Sequence, residues 1–179
     1  GFIYLSWSYV KEGRGDDKWL YSPSGFTARK TIRLRYDPEE RFLTRLFQGI
    51  DFAYQDLTDR LLPKDTHRLL RQERYNYKDC YVIESTPQDE QYPYSKRISW
   101  IWKEQGLPVK VDHYDRKDKR IRTLFHHYWT EVQGVWIPRQ SLMKDHEREH
   151  ITLLFVNDVR YNTGLVDAMF LPANLGYGR

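Results

Sequence analysis

The chain has 179 residues and a formal net charge of +4, from 29 Lys plus Arg against 25 Asp plus Glu. That length buries a core without metal or disulfide staples, and the single Cys80 excludes an internal disulfide and any multi-cysteine zinc site. No apolar run approaches the ~20 residues of a membrane-spanning helix, and no signal peptide opens the chain.

Strand-like runs recur through the chain between turn clusters, as in an antiparallel meander. The first covers residues 2–10; because it starts without an initiating segment, a preceding N-terminal part with an export signal is expected. Gly13-Arg14-Gly15 turns it into residues 18–22, and Pro23-Ser24-Gly25 leads into residues 28–35, where Ala28, Ile32 and Leu34 share a face. The period then changes. Asp37-Pro38-Glu39-Glu40 supplies an N-cap, an N1 proline and an N3 glutamate, and Phe42, Leu43, Leu46 and Phe47 follow at helical spacing before Gly49. A second helical piece is expected over residues 54–62, stopped by Pro63. Strands then follow over residues 67–75, 77–85, 95–103, 108–115, 119–128, 135–144 and 150–160, joined by short polar connections that favour hairpins. The fold class is mainly β, a large curled antiparallel sheet or open barrel with one or two helices on its apolar face. One domain over residues 1–179 is the expected organisation.

His146, Glu147 and His150 spell the H-E-x-x-H order of zinc peptidases, which needs a helix to bring both imidazoles onto one face. The flanks, Val135-Trp136-Ile137-Pro138 before and Ile151-Thr152-Leu153-Leu154 after, are strand-like, and no Glu or His follows His150 as a third ligand. A charged hairpin tip is therefore expected, with no catalytic residue and no metal or cofactor. Phosphate-cradling glycine loops are absent, and His126-His127 would send one ring to each side of a strand. The basic runs at residues 71–78 and 116–122 are interrupted by acids, so no nucleic-acid partner is expected.

Aromatic residues make up 16% of the chain, with 14 Tyr and 6 Trp, and they fall on alternating strand positions. Trp100 and Trp102 should share a face with Ile98, while Ser99 and Ile101 point oppositely. Such rings either fill a core or line a sheet that leaves room for a lipid chain. On the second reading the lipid-contacting residues are Trp7, Trp19, Tyr21, Phe42, Leu46, Phe47, Trp100, Trp102 and Trp136, with displacement of the residue 38–50 helix as the gate.

An ordered series of short motifs carries a family resemblance. Trp19-Leu20-Tyr21, Phe47-Gln48-Gly49-Ile50-Asp51-Phe52, Asp56-Leu57, Tyr81-Val82-Ile83-Glu84 and Tyr94-Ser95-Lys96-Arg97 open it. Gly134-Val135-Trp136-Ile137-Pro138, Met143-Lys144-Asp145, His150-Ile151-Thr152 and the closing Asp167 and Phe170 continue it. The chain resembles the LolA-like outer-membrane lipoprotein-sorting proteins. The resemblance implies an unclosed antiparallel β-barrel with helices over its concave face, lacking here the family's N-terminal helix and first strands. It further implies a periplasmic, non-enzymatic carrier of lipoprotein acyl chains or other lipids, working beside an inner-membrane transporter in the Gram-negative envelope. The rival is an adaptor of an envelope complex with a filled core.

Overall fold

The computed structural model describes residues 3–7, 17–22, 30–34, 49–57, 60–89, 92 and 94–174. The chain divides into two compact units, Gly1–Glu39 with Tyr161–Arg179, and Glu40–Arg160. In the first, β1 (Ile3–Trp7), β2 (Asp17–Ser22) and β3 (Lys30–Leu34) form an antiparallel sheet in chain order. Leu5 lies opposite Trp19, and Trp7 meets Trp19 edge to face with ring centroids 4.7 Å apart. Trp7 Nε1 donates to the carbonyl of Phe170, in the short 3-10 helix Asp167–Phe170 (3.0 Å).

The second unit is a seven-stranded meander. Its strands are β4 (Asp65–Tyr75), β5 (Lys78–Pro87), β6 (Lys96–Trp102), β7 (Leu107–Tyr114), β8 (Arg120–Val132), β9 (Val135–Asp145) and β10 (His150–Phe155). Every neighbour in the sheet is a neighbour in sequence, all pairs are antiparallel, and the order ends at β4 and β10. The result is an unclosed, curled sheet, the expected class. Turn chemistry drives it: Asn76 and Tyr77 both have positive φ (46° and 62°), as a two-residue type I′ tip requires, and Gln133-Gly134 does the same between β8 and β9 (51° and 83°).

Register assigns the side chains to two faces. Ser99, Val111, Leu124 and Met143 lie opposite one another across β6 to β9 and share one face. Trp100, next to Ser99, points the other way, towards Val82 and Lys110. The expected alternation holds: Cys80, Val82, Trp100 and Trp102 are buried together, with Ile98 packed against them. A bulge between Trp100 and Ile101 leaves Val109 unpaired on β7, and Val109 joins this cluster.

Helical content among the described residues is limited to 3-10 turns. Within the helix expected over residues 54–62, the described residues form the turn Tyr54–Leu57, and Pro63, expected as the stop, sits inside a second turn, Leu62–Lys64. The physical reason is local: the Asp56 carboxylate accepts from the Ala53 N–H (2.7 Å), closing a tight turn that no apolar period extends. The helix expected before Gly49, with Phe42, Leu43, Leu46 and Phe47, lies outside the described residues. The last strand ends at Phe155, short of the expected residue 160, and Asp158 beyond it has positive φ (43°).

Candidate functional site

Residues 49–57 form a strap over the face that carries Val111, Leu124 and Met143. Phe52 packs on these three, with Ile50 beside it, and Phe52, Ala53 and Met143 are 2%, 0% and 0% exposed. Its ends are tied by buried polar groups. Asp51 N–H donates to Thr152 Oγ1 (3.0 Å), while Asp51 Oδ2 accepts from Thr152 Oγ1 (2.7 Å) and from His150 Nδ1 (2.6 Å). Asp56 Oδ1 accepts from Tyr94 OH (3.4 Å), whose oxygen in turn accepts from Arg122 (3.0 Å).

These ties belong to a polar row that crosses the sheet. His67, Ser85, Arg97, His113, Arg122, Asp145 and His150 are successive cross-strand partners from β4 to β10. His67 Nε2 donates to the Leu62 carbonyl (3.0 Å), so Nδ1 accepts from Ser85 (2.9 Å). Arg97 and Arg60 both pair with Asp65; burial pushes that carboxyl up, but the Arg60 hydrogen bond and the two guanidinium charges bring it below its ordinary value. Burial also pushes the Asp56 carboxyl up, against the Ala53 N–H and Arg122. His113 is held down to about 3 by burial and by the charges of Arg97 and Arg122, so it is neutral. Both its ring nitrogens are buried without a hydrogen bond, and the Tyr94 ring packs against it, tilted by 50° with centroids 4.7 Å apart.

The tryptophans singled out from sequence form two groups. Trp7 and Trp19 share the small sheet, where Tyr21 is a residue of β2. Trp100, Trp102 and Trp136 lie on the large sheet's other face, away from the strap, where Trp102 meets Trp129 and Trp136 at 6.3 and 5.6 Å. Lys78 caps Trp102 at 3.3 Å, Lys110 caps Trp100 at 3.7 Å, and Trp100 Nε1 donates to Glu73. Phe42, Leu46 and Phe47 lie outside the described residues. The strap residues Asp51, Phe52 and Asp56 and their partners Tyr94 and Arg122 were not expected as a site. The signal for most of them was present in the family motifs that contain Asp51-Phe52, Asp56-Leu57 and Tyr94, read there only as markers of kinship.

The H-E-x-x-H residues sit on the hairpin between β9 and β10, with His150 paired to Asp145, and their side chains diverge. His150 turns to Asp51 and Glu147 to Lys119 (3.1 Å). Thr123 Oγ1 gives its proton to Asp112 (2.7 Å), so His146 Nε2 donates to Thr123 (2.8 Å), the reverse of a metal ligand's role. An open cleft of about 390 Å³ is lined by Arg60, Pro63, Lys64, Gln88 and Asp89.

A family profile described as "uncharacterized protein" matches residues 1–176. Among solved structures, the chain is similar to a domain of Vibrio parahaemolyticus named for outer-membrane lipoprotein sorting, at 30% identity and a TM-score of 0.82, covering 93% of this chain and 68% of that one. It is also similar to a DUF1329 family protein of Desulfovibrio piger, at 27% identity and a TM-score of 0.85, covering 98% and 71%. A LolA superfamily protein of Nitrosomonas europaea, at 24% identity and a TM-score of 0.62 over 87% and 66%, shares the fold. No curated protein sequence matches. An unclosed antiparallel sheet with one face strapped over defines the class. The chain belongs to the LolA-like family of lipoprotein-sorting proteins.

Proposed function

We propose that the chain is a non-enzymatic carrier of the bacterial envelope, working in the periplasm and holding lipoprotein acyl chains or other lipids between the open sheet and the segment that covers it. The observation that carries this reading is the apolar row Val111, Leu124 and Met143, covered among the described residues by one strap tied down at its ends by polar groups. A family named for lipoprotein sorting supports the cargo class, and an inner-membrane transporter is the proposed loading partner. No helix among the described residues is long and apolar enough to cross a membrane. The strap's neighbour in sequence, the segment with Phe42, Leu46 and Phe47, is proposed to contact cargo with it. Native mass spectrometry of protein purified from bacteria is expected to find acyl chains that organic extraction removes and readdition restores. Protein that neither carries nor takes up any acyl chain overturns the reading.

The adaptor reading is favoured by one observation, the completeness with which Phe52, Ala53 and Met143 are buried. It predicts capture of an envelope protein from detergent-solubilised membranes that delipidation leaves unchanged.

A further inference from the structure

A meander puts alternate turns at opposite ends of its sheet, and the two ends here differ in chemistry. At one end the turns at residues 115–119 and 145–150 are almost wholly charged. The other end gathers the β4–β5 tip, the β6–β7 turn and the β8–β9 tip. Lys103 N–H donates to the Asp79 carbonyl (2.9 Å), joining the first two, and the contacts of Trp102 with Trp129 and Trp136 bring in the third.

This end displays tyrosine. Tyr77 is 89% exposed and Tyr128 74%, and each holds a positive φ, 62° and 53°. A bulky residue in the left-handed region is strained: glycine would make the cheaper β4–β5 tip at Tyr77, and Tyr128 holds the same conformation inside β8. Packing does not repay the strain, because rings so exposed bury little. Tyr81 and Val135 are exposed beside them at 39% and 43%. Arg74 is exposed beside the Tyr77 tip, while Lys78 is held over Trp102 and Lys103 over Tyr81, and against Asp79 and Glu104 these three cations leave a small positive excess. Tyrosine, with an apolar body and a polar end, is enriched where hydrocarbon meets headgroup, and neighbouring Lys and Arg meet lipid phosphates there.

We propose that this end of the seven-stranded sheet docks on a phospholipid bilayer, with Tyr77 and Tyr128 entering the headgroup layer and Arg74 facing phosphates. Docking requires no bound cargo and so goes beyond the carrier reading.

The test uses the full chain with vesicles of phosphatidylethanolamine and phosphatidylglycerol. The protein is expected to sediment with them. Replacing both rings (Tyr77→Asn with Tyr128→Asn, which suits the backbone) is expected to weaken partition by roughly tenfold, while Lys117→Gln at the opposite end leaves it unchanged. Hydrogen exchange of the unmodified protein is expected to slow at residues 74–79 and 128–136 on vesicle addition, and not at 115–119. Unmodified protein that stays in the supernatant, protection confined to residues 115–119, or equal binding by the double variant overturns the proposal. Acyl chains found on protein that ignores vesicles remove docking and leave the carrier reading; vesicle docking by protein free of acyl chains does the reverse.

Discussion

His113 and His126 limit the fold on the acid side. Burial, then Arg97 and Arg122, hold His113 near 3, and burial with His127 holds His126 near 4. Both values lie below the ~6.5 of an unfolded histidine, so the unfolded chain binds more protons and stability is lost as pH falls from that value towards the folded ones. Asp56 acts in the opposite sense, since its raised value favours the protonated, folded form. Between pH ~6.5 and ~4, His113 alone should cost on the order of 3 kcal/mol, read as a falling urea midpoint. His113→Phe, which keeps a ring against Tyr94, should flatten that fall; parallel profiles for the two proteins would contradict it. The zinc motif gives a second residue-scale expectation: equimolar zinc leaves the thermal midpoint unchanged, whereas a rise abolished by His146→Ala would restore the metal reading. The hairpin was legible because β-branched and aromatic residues flank it. The partners of His150 and His146 were not, because Asp51 lies 99 residues from His150 and Thr123 lies 23 from His146, separations that no local spacing encodes.

At the scale of elements, tips and strap store different amounts of legible information. The β4–β5 tip falls where the strand period breaks, but its residues do not announce themselves, since Asn-Tyr stands where Asn-Gly is favoured. Tyr77→Gly should therefore raise stability by roughly 0.5–1 kcal/mol in urea titration, and a loss of stability would show that the ring is packed after all. The strap was illegible for a related reason: single 3-10 turns carry no period, so the Asp56 turn reads from sequence as the start of a longer helix. Its hold on the sheet is polar and specific. Asp51→Ala leaves Thr152 and His150 without their buried acceptor, and should cost roughly 1–3 kcal/mol. Hydrogen exchange should then quicken at residues 49–57 before it quickens in β5 to β9, and a uniform increase would mean that strap and sheet open together.

For the whole molecule, the meander and its openness followed from strand spacing and short polar connections. The strap decides between a carrier and a filled adaptor. Burying a phenylalanine contributes roughly 1.5–3 kcal/mol, and each acyl methylene about 0.8, so a chain laying three or four methylenes on Val111, Leu124 and Met143 matches what Phe52 supplies there. Cargo and Phe52 then compete for one surface. Phe52→Ala should lower the stability of the cargo-free protein by roughly 3 kcal/mol or more and, in a carrier, tighten its hold on a long-chain fatty acid, because the competitor is gone. Calorimetry of the delipidated variant and the unmodified protein with the same fatty acid reads the difference, and the bound acid should raise the thermal midpoint of the variant by more. In an adaptor whose core is simply filled, the same substitution only destabilises. A variant that unfolds more easily and takes up no fatty acid therefore assigns the covered face to packing and removes it as the cargo site.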